Sequence, residues 1–149
     1  MKERIFIVED EAIVAMTLAD QLQHFGYVVC GHAAYAEKAQ HIIPGLEPDL
    51  VLMDIRLAGK MDGIELASIL RAKYGIGIVF MTAYTDEATL AKTEQVGAFA
   101  YLVKPIEPSS LRATIRLALQ NHKAEKELRS ALRKIEEQSQ ALQRSEARV

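Results

Sequence analysis

The sequence predicts an α/β protein: a doubly wound parallel sheet of five strands with helices on both faces, ending in an extended C-terminal helix. Three observations predict it. Five short runs rich in Ile, Val and Leu recur between Ile5 and Val103, each long enough for a strand buried on both faces. Stretches with helical apolar spacing separate the runs, so strand and helix alternate throughout, the pattern of right-handed crossover units. After Pro108 the chain contains neither Gly nor Pro, so the usual helix breakers are missing to its end.

Ile5–Val8 forms the first predicted strand, followed by a helix with apolar positions at Ala12, Ala15, Ala19 and Leu22, closed by Gly26. The second run is Tyr27–Cys30. The helix after it, Ala36 to Ile43, is the weakest, bounded by Pro44 and Gly45. Leu50–Met53 is the third strand. Its helix opens at Asp62, with Glu65 three residues on, and carries Ile64, Ala67 and Leu70. Ile78–Met81 comes fourth, before a helix that follows Thr85 and stops at Gly97. Ala98–Val103 is the fifth, and the last helix begins near Pro108, with Leu111, Ile115, Ala118 and Leu119 suited to packing on the sheet.

At 149 residues, half of them apolar and 26% charged, the chain suits one domain with a real core. No apolar run approaches the roughly 18 residues of a membrane span, and the opening MKERIFIVEDE is too short in apolar residues for a secretion signal, so a cytoplasmic protein is expected. Cys30 has no partner for an internal disulfide, and His24, His32, His41 and His122 show no metal spacing with it. Zinc chemistry is not expected. Charge is unevenly placed: residues 1–108 hold nine Lys/Arg against fifteen Asp/Glu, whereas residues 109–149 hold nine against five. An acidic body carries a basic tail.

In an open parallel sheet, ligands bind beyond the carboxyl ends of the strands. Here those ends are polar: Glu9-Asp10-Glu11 after the first run, Asp54 after the third, Thr82-Ala83 after the fourth and Lys104-Pro105 after the fifth. Two carboxylates about 4 Å apart repel by roughly 4 kcal/mol at an effective dielectric near 20, so crowding several at one rim calls for cations. Lys104 supplies one positive charge. A hard divalent ion such as Mg²⁺ suits the oxygen ligands, and such a rim fits an anion with its own negative oxygens, a phosphoryl group above all. Asp54 is then nucleophile and carrier in one, its acyl phosphate meeting the metal, Thr82 and Lys104.

The fragments Ile7-Val8-Glu9-Asp10-Glu11, Leu52-Met53-Asp54-Ile55, Met61-Asp62-Gly63-Ile64-Glu65, Met81-Thr82-Ala83 and Tyr101-Leu102-Val103-Lys104-Pro105 together resemble the receiver domain of two-component response regulators, over about residues 3–122. Each fragment alone is weak, but five in order at strand ends are specific. The resemblance implies a flavodoxin-like strand order 2-1-3-4-5, Asp54 as phosphoacceptor, and Mg²⁺ held by Glu9, Asp10, Asp54 and the backbone carbonyl of Arg56. It implies Thr82 and Lys104 as the groups that receive the phosphoryl, Tyr101 as a rotating switch aromatic coupled to Thr82, and a sensor histidine kinase or histidine phosphotransfer protein as donor. Catalysis is then limited to the chain's own phosphoryl transfer and dephosphorylation. Glu9 departs from the more frequent Asp, and its longer arm can reach a metal directly or through water. The family commonly has a cis peptide before the proline that follows its lysine; the sequence alone says that Lys104-Pro105 permits one.

Plainer readings compete. Asp10 can cap the first helix, Glu11 suits a solvated first turn, Thr82 is a good β-former, and Tyr101 can be ordinary core packing. Asp62 and Gly63 look like helix-start chemistry. An FMN carrier needs a phosphate-cradling first loop, where this chain has acids, and a dehalogenase-type phosphatase needs an acid where Arg56 stands. The remaining alternative is a receiver-shaped interaction module that is never phosphorylated.

Beyond His122, Leu128, Leu132, Ile135 and Leu142 follow a 4-3-7 spacing with Ser139 in the gap, the seam of a short coiled coil or the sparse apolar positions of a solvated linker. Residues 1–122 are thus expected as the receiver and 123–149 as a helical extension towards an output domain, with a homodimer through that helix. The tail's positive charges are interleaved with Glu125, Glu127, Glu136, Glu137 and Glu146, so no nucleic-acid stripe is expected, and His122 reads as an exposed helical histidine.

Overall fold

The computed structural model describes residues 2–83 and 86–147. Among the described residues ten elements alternate: β1 (Arg4–Val8), α1 (Ala12–His24), β2 (Val28–Ala33), α2 (Ala36–Leu46), β3 (Leu50–Asp54), α3 (Gly63–Tyr74), β4 (Gly77–Thr82), α4 (Glu87–Val96), β5 (Ala100–Val103) and α5 (Pro108–Ala147). The strands form one parallel sheet in the order β2-β1-β3-β4-β5. Thr85, where the fourth helix was expected to open, lies outside the described residues, as do Arg148 and Val149 of the tail.

Both faces of the sheet are covered, which is why β1, β3 and β4 read as unbroken apolar runs. Phe6, Val8, Val51, Met53, Ile78 and Phe80 pack against Ala36, Ala39 and Ile43 of α2 and Leu66, Ala67 and Leu70 of α3. On the other face, Ile5, Ile7, Leu50, Leu52, Val79 and Met81 meet Ala15, Leu18 and Leu22 of α1 and Leu111, Ile115, Ala118 and Leu119 of α5. Each large side chain fully buried this way contributes roughly 1.5–3 kcal/mol.

Asp62 caps α3 by accepting the Glu65 N–H at 2.8 Å, and Asp86 caps α4 through Thr89 in the same way. Gly97 ends α4 at φ 80°. Several expectations need correction. The helix α2 runs through Pro44 and Gly45 to Leu46 instead of stopping at Ile43, because a proline in the last turn forfeits one hydrogen bond while Ala36, Ala39 and Ile43 hold the helix to the sheet. Ala12 is exposed at the rim, and α1 buries Ala15, Leu18 and Leu22. β2 begins at Val28 and reaches Ala33, with an irregularity in its pairing at Ile5/Phe6. β5 starts only at Ala100.

His122 is not exposed. Its side chain retains 14% of its accessible surface, with Nε2 3.8 Å from Asp49 Oδ1 and the ring beside Phe99. The cause is the continuity of α5: the helix passes the bottom of the sheet for a further turn, which puts position 122 on its inner side. Arg71 of α3 then grips Glu125 with two hydrogen bonds of 2.9 and 3.0 Å, and Arg129 binds Glu125 and the Gly75 carbonyl. From Lys126 to Glu146 the residues are exposed.

Candidate functional site

The strand order places β1 beside β3, while their following connections leave to opposite faces: α1 covers one side and α2–α3 the other. Such a switch point opens a crevice at the carboxyl ends of the strands. Glu9 directly follows β1, Asp54 ends β3, Thr82 ends β4 and Lys104 directly follows β5. All four converge on that edge.

Lys104 Nζ lies 2.9 Å from Asp54 Oδ2 and 3.0 and 3.2 Å from the two oxygens of Glu9. Glu9 and Asp54 are buried, Asp10 is exposed, and one oxygen from each of the three carboxylates falls within 4.8 Å of the others. Burial, reinforced by the hydrogen-bonded neighbour Asp54, pushes the Glu9 carboxyl up to about 7, although Lys104 pulls the other way. Burial pulls the Lys104 ammonium down, but its bonds to Asp54 and Glu9 outweigh that and leave its pKa above the ordinary lysine value. One ammonium does not neutralise this cluster. Three carboxylates at two strand ends, all oxygen donors and one open to solvent, fit a hard divalent cation that retains water ligands.

The surrounding backbone holds the Asp54 end of β3 in place. Asp54 Oδ1 accepts the Arg56 N–H at 3.2 Å, the Ile55 N–H donates to the Met81 carbonyl at 3.1 Å, and the Gly63 N–H returns to the Ile55 carbonyl at 3.0 Å. The Lys104 N–H donates to the Thr82 carbonyl at 2.8 Å, fixing the lysine stem to β4, and Lys104–Pro105 is a cis peptide. Thr82, at the end of β4, is 2% exposed. Tyr101 is 47% exposed on β5 and is not core packing. Arg56 lies on the loop immediately after Asp54. Glu11 is the exposed N-cap residue of α1, and Asp10 does not cap that helix.

Sequence reasoning missed the role of Gly63. A Cβ there would overlap the Asp54 carbonyl oxygen, so the start of α3 approaches the end of β3 as only glycine permits. The signal was a glycine just inside a helix start, where an ordinary helix former is expected.

The sequence matches the family model described as "Response regulator receiver domain" over residues 5–116. The transcriptional regulatory protein PdtaR of Mycobacterium tuberculosis is 38% identical over 116 residues, 78% of this chain and 56% of that protein. The DNA-binding response regulator MtrA of the same species is 37% identical over 124 residues, 82% of this chain and 53% of that protein. The chain thus spans about half the length of the curated relatives it matches. Among solved structures, the signal receiver domain of a modulated diguanylate cyclase from Desulfovibrio desulfuricans G20 superposes with TM-score 0.79 at 37% identity, covering 84% of this chain and 99% of that one. The N-terminal domain of a response regulator/sensory box/GGDEF protein from Carboxydothermus hydrogenoformans superposes at 0.74 with 34% identity, covering 83% and 98%.

Proposed function

This chain belongs to the receiver-domain family of response regulators, and from that membership we propose that it takes a phosphoryl group onto Asp54 from a histidine kinase or histidine phosphotransfer protein, with Mg²⁺, and signals by a change of shape. One observation carries the reading: the Lys104 ammonium bridges the buried carboxylates of Asp54 and Glu9 at the carboxyl edge of the sheet, with Asp10 beside them. Glu9, Asp10, Asp54 and the Arg56 carbonyl would hold the ion. Bound there, Mg²⁺ supplies charge neutralisation to the transferring phosphoryl oxygens.

In this reading an Asp54 carboxylate oxygen attacks the phosphorus of a phosphohistidine. The O–P bond forms as the P–N bond breaks, and the electron pair returns to the imidazole. Lys104 passes from the free carboxylate to the new phosphoryl oxygens, and the Thr82 hydroxyl donates to the same group. Tyr101 then turns inward, and the surface of α4, β5 and α5 changes as the population shifts between two shapes. Attack of water on phosphorus releases phosphate and restores the carboxylate, so the only catalysis is on the chain's own acceptor.

Surface chemistry supports a protein donor. Ile13 and Met16 on α1 are 79% and 68% exposed, and a cleft lined by Ile13, Val14, Thr17, Leu18, Lys104, Pro105 and Ile106 lies next to the acceptor. Residues 1–122 act as the receiver and residues 123–149 as an extension towards an output domain, helical through Ala147 among the described residues, and two chains pair through that helix. Among the described residues no helix is long and apolar enough to cross a membrane.

The test is incubation with a small phosphodonor and Mg²⁺, followed by intact mass. A gain of one phosphoryl that vanishes in Asp54→Asn is expected; retention in that variant moves the acceptor elsewhere. Lys104→Ala is expected to sever modification from the shape change, and an unaltered hydrogen-exchange response in that variant removes its switching role.

A further inference from the structure

The loop that follows Asp54 is held from outside by the carboxylate of Glu37. Glu37 stands in the first turn of α2, and its Oε1 accepts the backbone N–H groups of Lys60 at 3.0 Å and Met61 at 2.9 Å. Gly59, at φ 102°, lets the backbone close around the same carboxylate: a Cβ there would lie 3.1 Å from Oε2 and 3.3 Å from Oε1. Consecutive N–H groups converging on one oxygen make a concave anion seat. Tyr35, immediately before α2, forms a parallel β-bridge with Ala58, so the junction of β2 and α2 meets the loop at two points. The seat is electrostatically self-consistent, since hydrogen bonds from Glu37's own backbone and then from Met61 hold the carboxyl below the usual glutamate value.

This tie falls at the middle of the connection between β3 and α3. Upstream, the Arg56 N–H is bound to Asp54 Oδ1; downstream, Asp62 caps α3 and Gly63 is bound to Ile55. We propose that Glu37 is a positioning residue for the acceptor loop, holding residues 58–61 so that the Arg56 carbonyl is presented to Mg²⁺. The proposal rests on the reading of the Asp54 rim as a metal and phosphoryl site. Glu37 itself touches neither group; it acts through the backbone.

The experiment compares the full chain with Glu37→Ala and Glu37→Gln. Amide exchange of Lys60 and Met61 is measured without metal, and Mg²⁺ alone is then titrated while amide shifts are followed. Exchange at both amides is expected to rise at least about tenfold in Glu37→Ala, and its Mg²⁺ dissociation constant about tenfold, as when an outer-shell partner of a ligand is lost. The Gln Oε1 can still accept both N–H groups, so Glu37→Gln is expected to restore both readouts to within about twofold, a rescue that a charge effect alone does not give. Wild-type Mg²⁺ affinity in Glu37→Ala, or a Gln variant as impaired as the Ala variant, overturns the role. A wild-type chain that binds no Mg²⁺ overturns the metal site itself, a failure visible without any variant.

Discussion

Lys104 stands between two buried carboxylates, and its substitution separates electrostatics from packing. Removing one member of such a buried group leaves the others uncompensated, so metal-free Lys104→Met is expected to lose about 2–3 kcal/mol, somewhat below the full buried-pair cost because the ammonium keeps some solvent contact. Urea unfolding with and without Mg²⁺ checks it, and the ion should restore part of the loss. Gly63→Ala presents the converse case. The methyl would overlap the Asp54 carbonyl, so a helix-favouring substitution is expected to destabilise by about 2 kcal/mol or more and to slow phosphoryl uptake. Stability equal to wild type there would mean that the approach of α3 to β3 is looser than the structure has it. Glu9, Asp54, Thr82 and Lys104 were legible in the sequence because each follows or ends an apolar run, and parallel strands bring such positions to one edge. Gly63 and Glu37 were not. Both act by proximity to backbone distant in sequence, which no local pattern records.

At the scale of elements, the clamp between α3 and α5 sets how the long helix leaves the body. Arg71 lies over the Phe99 ring at 5.0 Å and binds Glu125 through its two terminal nitrogens, Nη1 and Nη2, an arrangement better ordered than most surface pairs. Glu125 is held below the usual glutamate value, first by its hydrogen bond from Arg71. A lowered folded-state pKa contributes stability that is present above the unfolded value of 4.5 and fades as pH falls through the folded one. Glu125→Gln is therefore expected to cost about 1 kcal/mol at pH 7 and to flatten the pH dependence of unfolding below pH 4.5, as followed by denaturation over an acid series. The order and type of the ten described elements were readable from period and punctuation. Their ends were less so: Pro44 looks like a stop, yet tertiary contacts carry α2 past it, and His122 looks solvated until α5 is seen to continue against the sheet.

For the whole molecule, α5 is a 40-residue helix about 60 Å long, of which only the first part rests on the body. Leu128, Leu132, Ile135 and Leu142 are 52–62% exposed along it, on the 4-3-7 spacing of a coiled-coil seam. A parallel homodimer is expected in sedimentation at high micromolar concentration, and Ile135→Glu should return it to monomer; a monomeric wild type removes the seam's role. At the other end of the molecule, acids crowd the carboxyl edge of the sheet, where a cation and a transferable phosphoryl are proposed to bind. Intact mass after exposure to a small phosphodonor, once with Mg²⁺ and once with a chelator, tests that proposal most directly. One added phosphoryl with the ion and none without it is the predicted result; equal uptake under both conditions, or none under either, contradicts it.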